Sequence, residues 1–118
     1  MRVLIVDDNL GLAENIAEIL DGEGYATEIA GSAEEALRLA QSRIFAVLVT
    51  DFRLPGITGV DLIESLRREG QHPKAVVISA FSDELTVGAA EAVGASFLSK
   101  PVDVGLLNRV LRTARPCA

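Results

Sequence analysis

Five short apolar runs alternate along the chain with five segments of helical periodicity, and no two of these runs are joined by a hairpin turn. Strands linked in this way run parallel, because each helix returns the chain to the edge of the sheet where the previous strand began. The pattern predicts an α/β fold, a three-layer sandwich with helices on both faces of a five-stranded parallel sheet. The 118 residues fit one domain over 1–118, with 115–118 expected to be a frayed tail.

The spacing of apolar residues, which differs between helices and strands, locates the individual elements. Strands are expected at residues 3–6, 25–30, 45–51, 75–78 and 96–98, with the second strand near a sheet edge because it is the more polar. The inward stripes of the first and fourth helices are predicted to be Leu12, Ile16, Ile19 and Leu20, and Leu85, Ala89, Ala92 and Val93. Ser32 and Glu35 have capping-box spacing, and Asp103 is placed to cap the last helix.

Chemically reactive side chains follow four of the predicted strands, where each strand ends. Asp7 and Asp8 follow the first strand, Asp51 ends the third, Ser79 ends the fourth and Lys100 follows the fifth. The carboxyl ends of parallel strands lie along one edge of a sheet, where open α/β sheets bind their ligands. Taken singly, these residues have ordinary roles: Asp8 or its neighbour Asn9 could cap the first helix, and Asp51 could form a turn. Such roles do not account for all five lying at one edge, so a joint site is predicted.

Carboxylates that lie close together repel, and each raises the pKa of its neighbours unless a cation is present. A hard divalent cation relieves this repulsion, and Mg²⁺ suits an open site that also takes phosphate oxygens. Lys100 would add a point charge for an anion, and Ser79 a hydroxyl donor. A carboxylate is also a nucleophile that forms acyl phosphates. The set of residues predicts Mg²⁺-assisted phosphoryl transfer onto an aspartate.

The same residues carry a family resemblance. The chain resembles, along its whole length, the receiver domain of two-component response regulators, of which the chemotaxis receiver is an example. The matching motifs are Leu4 to Asn9, Thr50 to Gly56 with Gly59, Ser79 with Ala80, and Ser99 to Pro101. Four motifs in this order and spacing are a specific signal. The resemblance implies the flavodoxin-like strand order 2-1-3-4-5, which agrees with a polar second strand and a short fifth strand at the two edges.

The resemblance also implies a phosphoacceptor and a metal site. Asp51 matches the aspartate that accepts the phosphoryl group. Asp8 and Asp51 match ligands of Mg²⁺, which Mn²⁺ can replace; Asp7 would bind through water. The backbone carbonyl of Arg53 matches a further ligand.

The remaining motif residues match family positions that contact the phosphoryl group or change conformation in response to it. Lys100 would pair with the phosphoryl group, Ser79 would bond it through its hydroxyl, and the bond between Lys100 and Pro101 would be cis. Phe97 matches an aromatic switch position, although without the resemblance the sequence favours an ordinary core aromatic in an edge strand. Arg53 and Phe81 flank the site and would set the rate of slow self-catalysed dephosphorylation.

The implied function is signalling and not catalysis on a separate substrate. The phosphoryl group would come from a phosphohistidine on a histidine kinase or histidine phosphotransfer protein. Phosphorylation would change the surface of helix four, strand five and helix five, which an output domain or partner reads. A salt-bridged dimer on that surface is not expected, because residues 84–88 carry no basic side chain. The exposed face of helix four is sparsely charged, which would suit an apolar partner.

The amino-acid composition argues against several other classes of protein. A formal net charge of −6 argues against direct binding to nucleic acid or to anionic membranes. The acidic start and the lack of a long apolar run predict neither a signal peptide nor a membrane span, and the single Cys117 excludes an internal disulfide, so a cytoplasmic location is expected. His72 is expected to be a solvated loop residue and not a phosphodonor.

Three other functions fit the α/β pattern less well. An aspartate-nucleophile phosphatase of the haloacid-dehalogenase type needs Asp-x-Asp after strand one, and the chain has Asp7-Asp8-Asn9 with no cap insertion. A flavin-binding module needs a hydroxyl-rich phosphate loop after strand one and aromatic residues to stack the ring, and the chain has Asn9-Leu10-Gly11-Leu12 and a single tyrosine instead. A dinucleotide-binding domain needs Gly-x-Gly-x-x-Gly, which is absent from the sequence.

Overall fold

The computed structural model describes residues 2–80, 84–100 and 102–113. Strands and helices alternate throughout. The strands are β1 (Arg2–Val6), β2 (Ala26–Ala30), β3 (Val47–Asp51), β4 (Lys74–Ser79) and β5 (Ser96–Ser99). The helices are α1 (Leu10–Gly22), α2 (Ala33–Ser42), α3 (Gly59–Arg68), α4 (Glu84–Ala92) and α5 (Val104–Thr113). No helix among the described residues has both the length and the apolar character that crossing a bilayer requires.

All strands of the sheet are parallel and lie in the order β2-β1-β3-β4-β5, so the predicted fold class and strand order are confirmed. β2 and β5 are the edges, as their polarity and shortness predict. The central strands β1, β3 and β4 are almost wholly buried because helices cover both faces. Val6 is paired with Ala30 on one side and Thr50 on the other, so the carboxyl ends of β1, β2 and β3 are level.

The alternation of side chains divides the core into two layers. One layer lies between the sheet and α2, α3 and α4, and its large members are Leu4, Phe45, Leu48, Leu62, Ile63 and Leu66. The other lies between the sheet and α1 and α5, and its large members are Ile5, Ile16, Leu20, Ile78, Leu98, Leu107 and Leu111. The two layers hold the sheet rigidly, which fixes the positions of the residues at the strand ends.

Polar side chains start the helices. Asn9 caps α1 by accepting a hydrogen bond from the Leu12 amide at 3.2 Å. Asp103 caps α5 as predicted, accepting from the Leu106 amide at 3.1 Å. The predicted capping box of α2 forms only in part: Ser32 accepts from the Glu35 amide, while the Glu35 carboxylate accepts from the amide of Gly31 and not from that of Ser32.

A complete capping box starts α3, which the sequence did not indicate because its third helical residue is Asp and not Glu or Gln. Thr58 accepts from the Asp61 amide, and Asp61 accepts from the Thr58 amide, each at 3.1 Å. Arg67 and Arg68 in the last turn of α3 complement its dipole. The start of α3 next to β3 is therefore well defined.

Two of the predicted helix faces were wrong in part. Ile19 is 42% exposed on α1, since Leu20 takes the buried position beside it. On α4 the predicted stripe is displaced: Leu85 is 85% exposed, and Thr86 and Ala90 are buried instead. The side chains of α4 are small and weakly patterned, so a threonine takes a core position on this helix.

Two polar side chains join elements that are distant in sequence. The Gln71 amide group donates to the carbonyls of Ala40 and Arg43, and its oxygen accepts from the Phe45 amide. This side chain therefore ties the α3–β4 connection to the α2–β3 connection. At the other side of α3, the Arg67 guanidinium donates to the carbonyl of Val93, just beyond the end of α4.

Candidate functional site

The carboxyl edge of the sheet collects the predicted residues. Asp7 and Asp8 follow β1, Asp51 is the last residue of β3, Ser79 is the last of β4, and Lys100 follows β5. The central position of β1, β3 and β4 in the sheet brings three of these strand ends side by side. Asn9, and not Asp8, is the cap of α1. The Asp8 side chain is exposed and is not used in starting that helix.

Lys100 lies between two of the carboxylates. Its ammonium nitrogen is 3.4 Å from Oδ2 of Asp51 and 3.6 Å from Oδ2 of Asp7. The other oxygen of Asp7 accepts a hydrogen bond from the Asn9 amide at 2.9 Å, so this buried carboxylate is held on both sides. The Lys100 amide donates to the Ser79 carbonyl at 2.8 Å, which fixes the end of β5 to the end of β4.

Asp7, Asp8 and Asp51 form a cluster with the geometry of a cation site. One carboxylate oxygen from each lies within 4.8 Å of the others. Asp7 is buried, Asp51 is half-buried and Asp8 is exposed, so the cluster opens to solvent on the Asp8 side. The donors are all carboxylate oxygens, which hard cations prefer, and the open side leaves room for water or phosphate oxygens. These residues fit Mg²⁺.

The surroundings of the Asp51 carboxyl group disfavour its charged form. Burial raises the pKa of the Asp51 carboxyl above its ordinary value of 3.8. The Lys100 ammonium lowers this pKa by its charge and by a hydrogen bond, while the carboxylates of Asp7 and Asp8 raise it. The net direction is upward, so one lysine does not compensate the ionised form fully. A divalent cation among the three carboxylates would supply the missing positive charge.

The loop between β3 and α3 is a tight turn beside this cluster. Gly56 has a φ of 83°, which the residue type allows without strain. The Leu54 amide donates to the Ile57 carbonyl at 3.1 Å, and Arg53 forms an isolated bridge with Thr58. The exposed Arg53, two residues after Asp51, thus lies in a fixed stretch of chain. This is where its backbone carbonyl was predicted to serve as a metal ligand.

The remaining predicted residues are placed as follows. Ser79 is 2% exposed at the end of β4. Phe97 on the edge strand β5 is half-buried and packs against the core layer under α2, α3 and α4. Pro101, and with it the predicted cis bond, lies outside the described residues, as do Phe81, Cys117 and the predicted tail. His72 is exposed in the loop before β4, at the opposite edge of the sheet.

Two residues next to Asp51 were not singled out as site residues from the sequence. Thr50 is fully buried, and its hydroxyl donates to the Asp51 carbonyl at 2.9 Å. Gly59 begins α3 directly against the same carbonyl. Gly59 was noticed only as a turn signal and motif residue, since its contact depends on how α3 packs on β3.

Comparison with known proteins decides the family. Residues 3–112 match the response regulator receiver domain. The chain belongs to the response regulator receiver family. Receiver domains are signalling domains of two-component systems, so this assignment also excludes the phosphatase, flavin-binding and dinucleotide-binding alternatives.

Individual relatives agree with the family assignment. A response regulator receiver protein of Anaeromyxobacter sp. is 43% identical over 104 residues, which cover 87% of this chain and 44% of that protein. The photosynthetic apparatus regulatory protein RegA of Rhodovulum sulfidophilum is 35% identical over 110 residues, which cover 92% of this chain and 60% of RegA. This receiver therefore spans about half the length of these curated relatives.

Solved structures agree in fold. The chemotaxis protein CheY4 of Vibrio cholerae superposes with a TM-score of 0.88 at 28% identity, covering 96% of this chain and 97% of CheY4. A response regulator of Burkholderia pseudomallei, solved with a phosphorylated aspartic acid, a calcium ion and citrate, gives a TM-score of 0.85 at 31% identity. That superposition covers 95% of this receiver and 66% of the Burkholderia chain.

Proposed function

We propose that this receiver accepts a phosphoryl group on Asp51 from a phosphohistidine of a histidine kinase or histidine phosphotransfer protein. The observation that carries the proposal is the placement of Asp51 between Lys100, at 3.4 Å, and the carboxylates that follow β1. A nucleophilic carboxylate, a nearby ammonium and an oxygen-lined cation site are the groups that phosphoryl transfer requires. The phosphorylated aspartic acid of the Burkholderia relative supports the same chemistry.

The metal ligands of the proposal are Asp7, Asp8, Asp51 and the backbone carbonyl of Arg53. The all-oxygen donors and the open side of the cluster suit Mg²⁺, with Mn²⁺ as a substitute. When bound, Mg²⁺ supplies positive charge against the phosphoryl oxygens as charge develops on them. Asp7 already has one oxygen fixed by the Asn9 amide, which leaves its second oxygen to face the site.

The protein's own groups carry the rest of the reaction. An oxygen of Asp51 forms a bond to phosphorus as the phosphorus–nitrogen bond of the donor breaks, and the released imidazole takes a proton. Lys100 is close enough to Asp51 to pair with the new phosphoryl oxygens. Ser79, buried at the end of the neighbouring β4, donates its hydroxyl to another of them. Hydrolysis of the acyl phosphate by water returns the domain to its resting form.

The response to phosphorylation lies on the side of β4 and β5. The Lys100 amide donates a hydrogen bond to the Ser79 carbonyl at 2.8 Å, so a displacement of either residue would also move the end of the neighbouring strand. Phe97 packs on the layer that includes α4, and a change in its packing would alter the surface formed by α4, β5 and α5. An output domain or partner protein, in a cytoplasmic signalling system, would read that surface.

The test is the intact mass of the protein after incubation with Mg²⁺ and acetyl phosphate, with Asp51→Asn as the control. We expect the wild type, and not the variant, to gain one phosphoryl group, and chelation of Mg²⁺ to abolish the gain. A wild type that gains no phosphoryl group from acetyl phosphate is next offered a panel of phosphohistidine proteins. Failure with all donors, or equal labelling of Asp51→Asn, would refute the proposal.

A further inference from the structure

Gly59 lies directly against the main chain of Asp51. A Cβ atom at this position would be 2.5 Å from the Asp51 carbonyl oxygen, and 2.9 and 3.0 Å from Cγ2 and Oγ1 of Thr50. Cβ atoms essentially never approach heavy atoms closer than 3.0 Å, so a side chain fits here only if its neighbours move. The φ of Gly59 is not positive, so glycine is required by space and not by backbone conformation.

Thr50 holds the same carbonyl through a hydrogen bond. Its hydroxyl donates to the Asp51 carbonyl oxygen at 2.9 Å, and its side chain is fully buried. A buried β-branched side chain has little freedom to rotate away from a new neighbour. The Gly59 amide also donates to the Phe52 carbonyl at 2.7 Å, which fixes the first residue of α3 to the chain just beyond Asp51.

We propose that Thr50 and Gly59 are positioning residues for Asp51. Between them they fix its peptide carbonyl, and through it the place of the carboxylate relative to Lys100 and to the carboxylates after β1. This inference rests on the proposed function, since it concerns the same carboxylate. A methyl group on Gly59 must move about 1 Å from the Asp51 oxygen to reach the 3.4 Å of ordinary contact. Misplacement by about 1 Å costs roughly a hundredfold in the rate of a positioned reaction.

The first comparison is between two glycine-to-alanine variants in helices. Gly88 on α4 is exposed, and a Cβ atom there would meet no atom within 4 Å, so Gly88→Ala is a matched control. Mg²⁺ affinity is measured by calorimetry, and phosphorylation by acetyl phosphate is followed by mass. For Gly59→Ala we expect Mg²⁺ binding about tenfold weaker and phosphorylation about a hundredfold slower, while Gly88→Ala stays within about twofold of the wild type.

Variants of Thr50 test the same inference without a steric clash, should Gly59→Ala fail to fold. Thr50→Val keeps the shape of the side chain and removes the donor, whereas Thr50→Ser keeps the donor. We expect Thr50→Val to weaken Mg²⁺ binding by about threefold or more and Thr50→Ser to restore the wild-type affinity. A merely structural role would lower the melting temperature and leave the metal affinity of the folded protein unchanged.

Two results would overturn the proposal. One is wild-type Mg²⁺ affinity and phosphorylation rate in folded Gly59→Ala and Thr50→Val. The other is a loss of stability alone in these variants. If the wild type itself neither binds Mg²⁺ nor gains a phosphoryl group, the proposed function is the part that fails. The ¹³C shifts of Asp51 in the metal-free protein then decide the positioning: they should change in Gly59→Ala but not in Gly88→Ala, and no change in either would refute it.

Discussion

The Lys100 ammonium nitrogen lies 3.4 Å from the carboxylate of Asp51, although the two residues come from opposite sides of β4. The same nitrogen is 3.6 Å from Asp7. The Lys100 ammonium group therefore lies between two of the carboxylates that a metal ion would also bind. Lys100 and a bound Mg²⁺ would both stabilise ionised Asp51, and their like charges would repel each other.

Removal of the Lys100 charge should strengthen metal binding and weaken phosphorylation. We expect Lys100→Gln to bind Mg²⁺ about tenfold more tightly, because a like charge has left the site. Phosphorylation by acetyl phosphate should fall by about tenfold or more, since the phosphoryl oxygens lose their ammonium partner. Lys74→Gln is the control, because Lys74 begins β4 at the opposite edge of the sheet. Mg²⁺ affinity equal to or weaker than that of the wild type in Lys100→Gln would contradict this account.

Asp51→Asn should stabilise the metal-free domain. Because the pKa of Asp51 is raised on folding, the native state binds more protons than the unfolded state at pH values above 3.8. The contribution of Asp51 to the free energy of unfolding therefore falls as pH rises through that window. The excess stability of Asp51→Asn, measured by urea unfolding in EDTA, should grow with pH and then level off at neutral pH.

Addition of Mg²⁺ should reverse the order of these two proteins. Binding at about 100 times the dissociation constant stabilises a folded protein by about 2.7 kcal/mol, and Asp51→Asn lacks one ligand. The control is Glu14→Gln, which removes an exposed carboxylate of α1 and should show neither effect. An unchanged order of stability at saturating Mg²⁺ would argue against Asp51 as a ligand.

Gln71→Glu should destabilise the fold without changing the site. A carboxylate cannot donate to the Ala40 and Arg43 carbonyls, and it places negative charge against them. We expect a loss of about 2–3 kcal/mol in the free energy of unfolding, measured in urea. The exposed Gln41 of α2 provides the matched Gln41→Glu control, with a change within about 0.5 kcal/mol. Mg²⁺ affinity of the folded proteins should stay constant.

Arg67→Gln should loosen the end of α4. The Arg67 guanidinium donates to the Val93 carbonyl, whereas Arg68 bonds only the exposed Ser65 hydroxyl among the contacts described for it. Hydrogen exchange of the amides in residues 90–95 is expected to speed up in Arg67→Gln by an amount that corresponds to about 1–3 kcal/mol. Arg68→Gln should leave these amides unchanged. Equal exchange in both variants would mean that the Arg67 contact does not hold α4.

Much of the candidate site could be predicted because its signals are local in the sequence. Asp7 directly follows an apolar strand, and Asp51 and Ser79 each end one. Parallel pairing then brings these strand ends to one edge of the sheet without any knowledge of side-chain contacts. The strand order itself came from the family resemblance, since several orders satisfy the same alternation of strands and helices.

Other features depend on which residue meets which across the fold. Gln71 in a loop and Arg67 on a helix surface look like solvated polar residues until α2 and α4 are packed beside them. The buried face of α4 was predicted one residue away from its observed place, because Leu85 outweighs Thr86 in any scale of hydrophobicity although Thr86 is the residue in the core. Such preferences are decided by tertiary packing and not by local sequence.

The small size of the residues that anchor α4 sets an energy scale for the response. Burial of one methyl group contributes about 0.8 kcal/mol, so the side chains of Thr86 and Ala90 attach this helix by roughly 1–2 kcal/mol. One hydrogen bond to a charged group contributes about 1.5–3 kcal/mol. The proposed contact between the phosphoryl group and Ser79 would thus be comparable in energy to the burial of these two side chains. A movement of α4 in response to phosphorylation, as proposed, would therefore expose little apolar surface at these two positions.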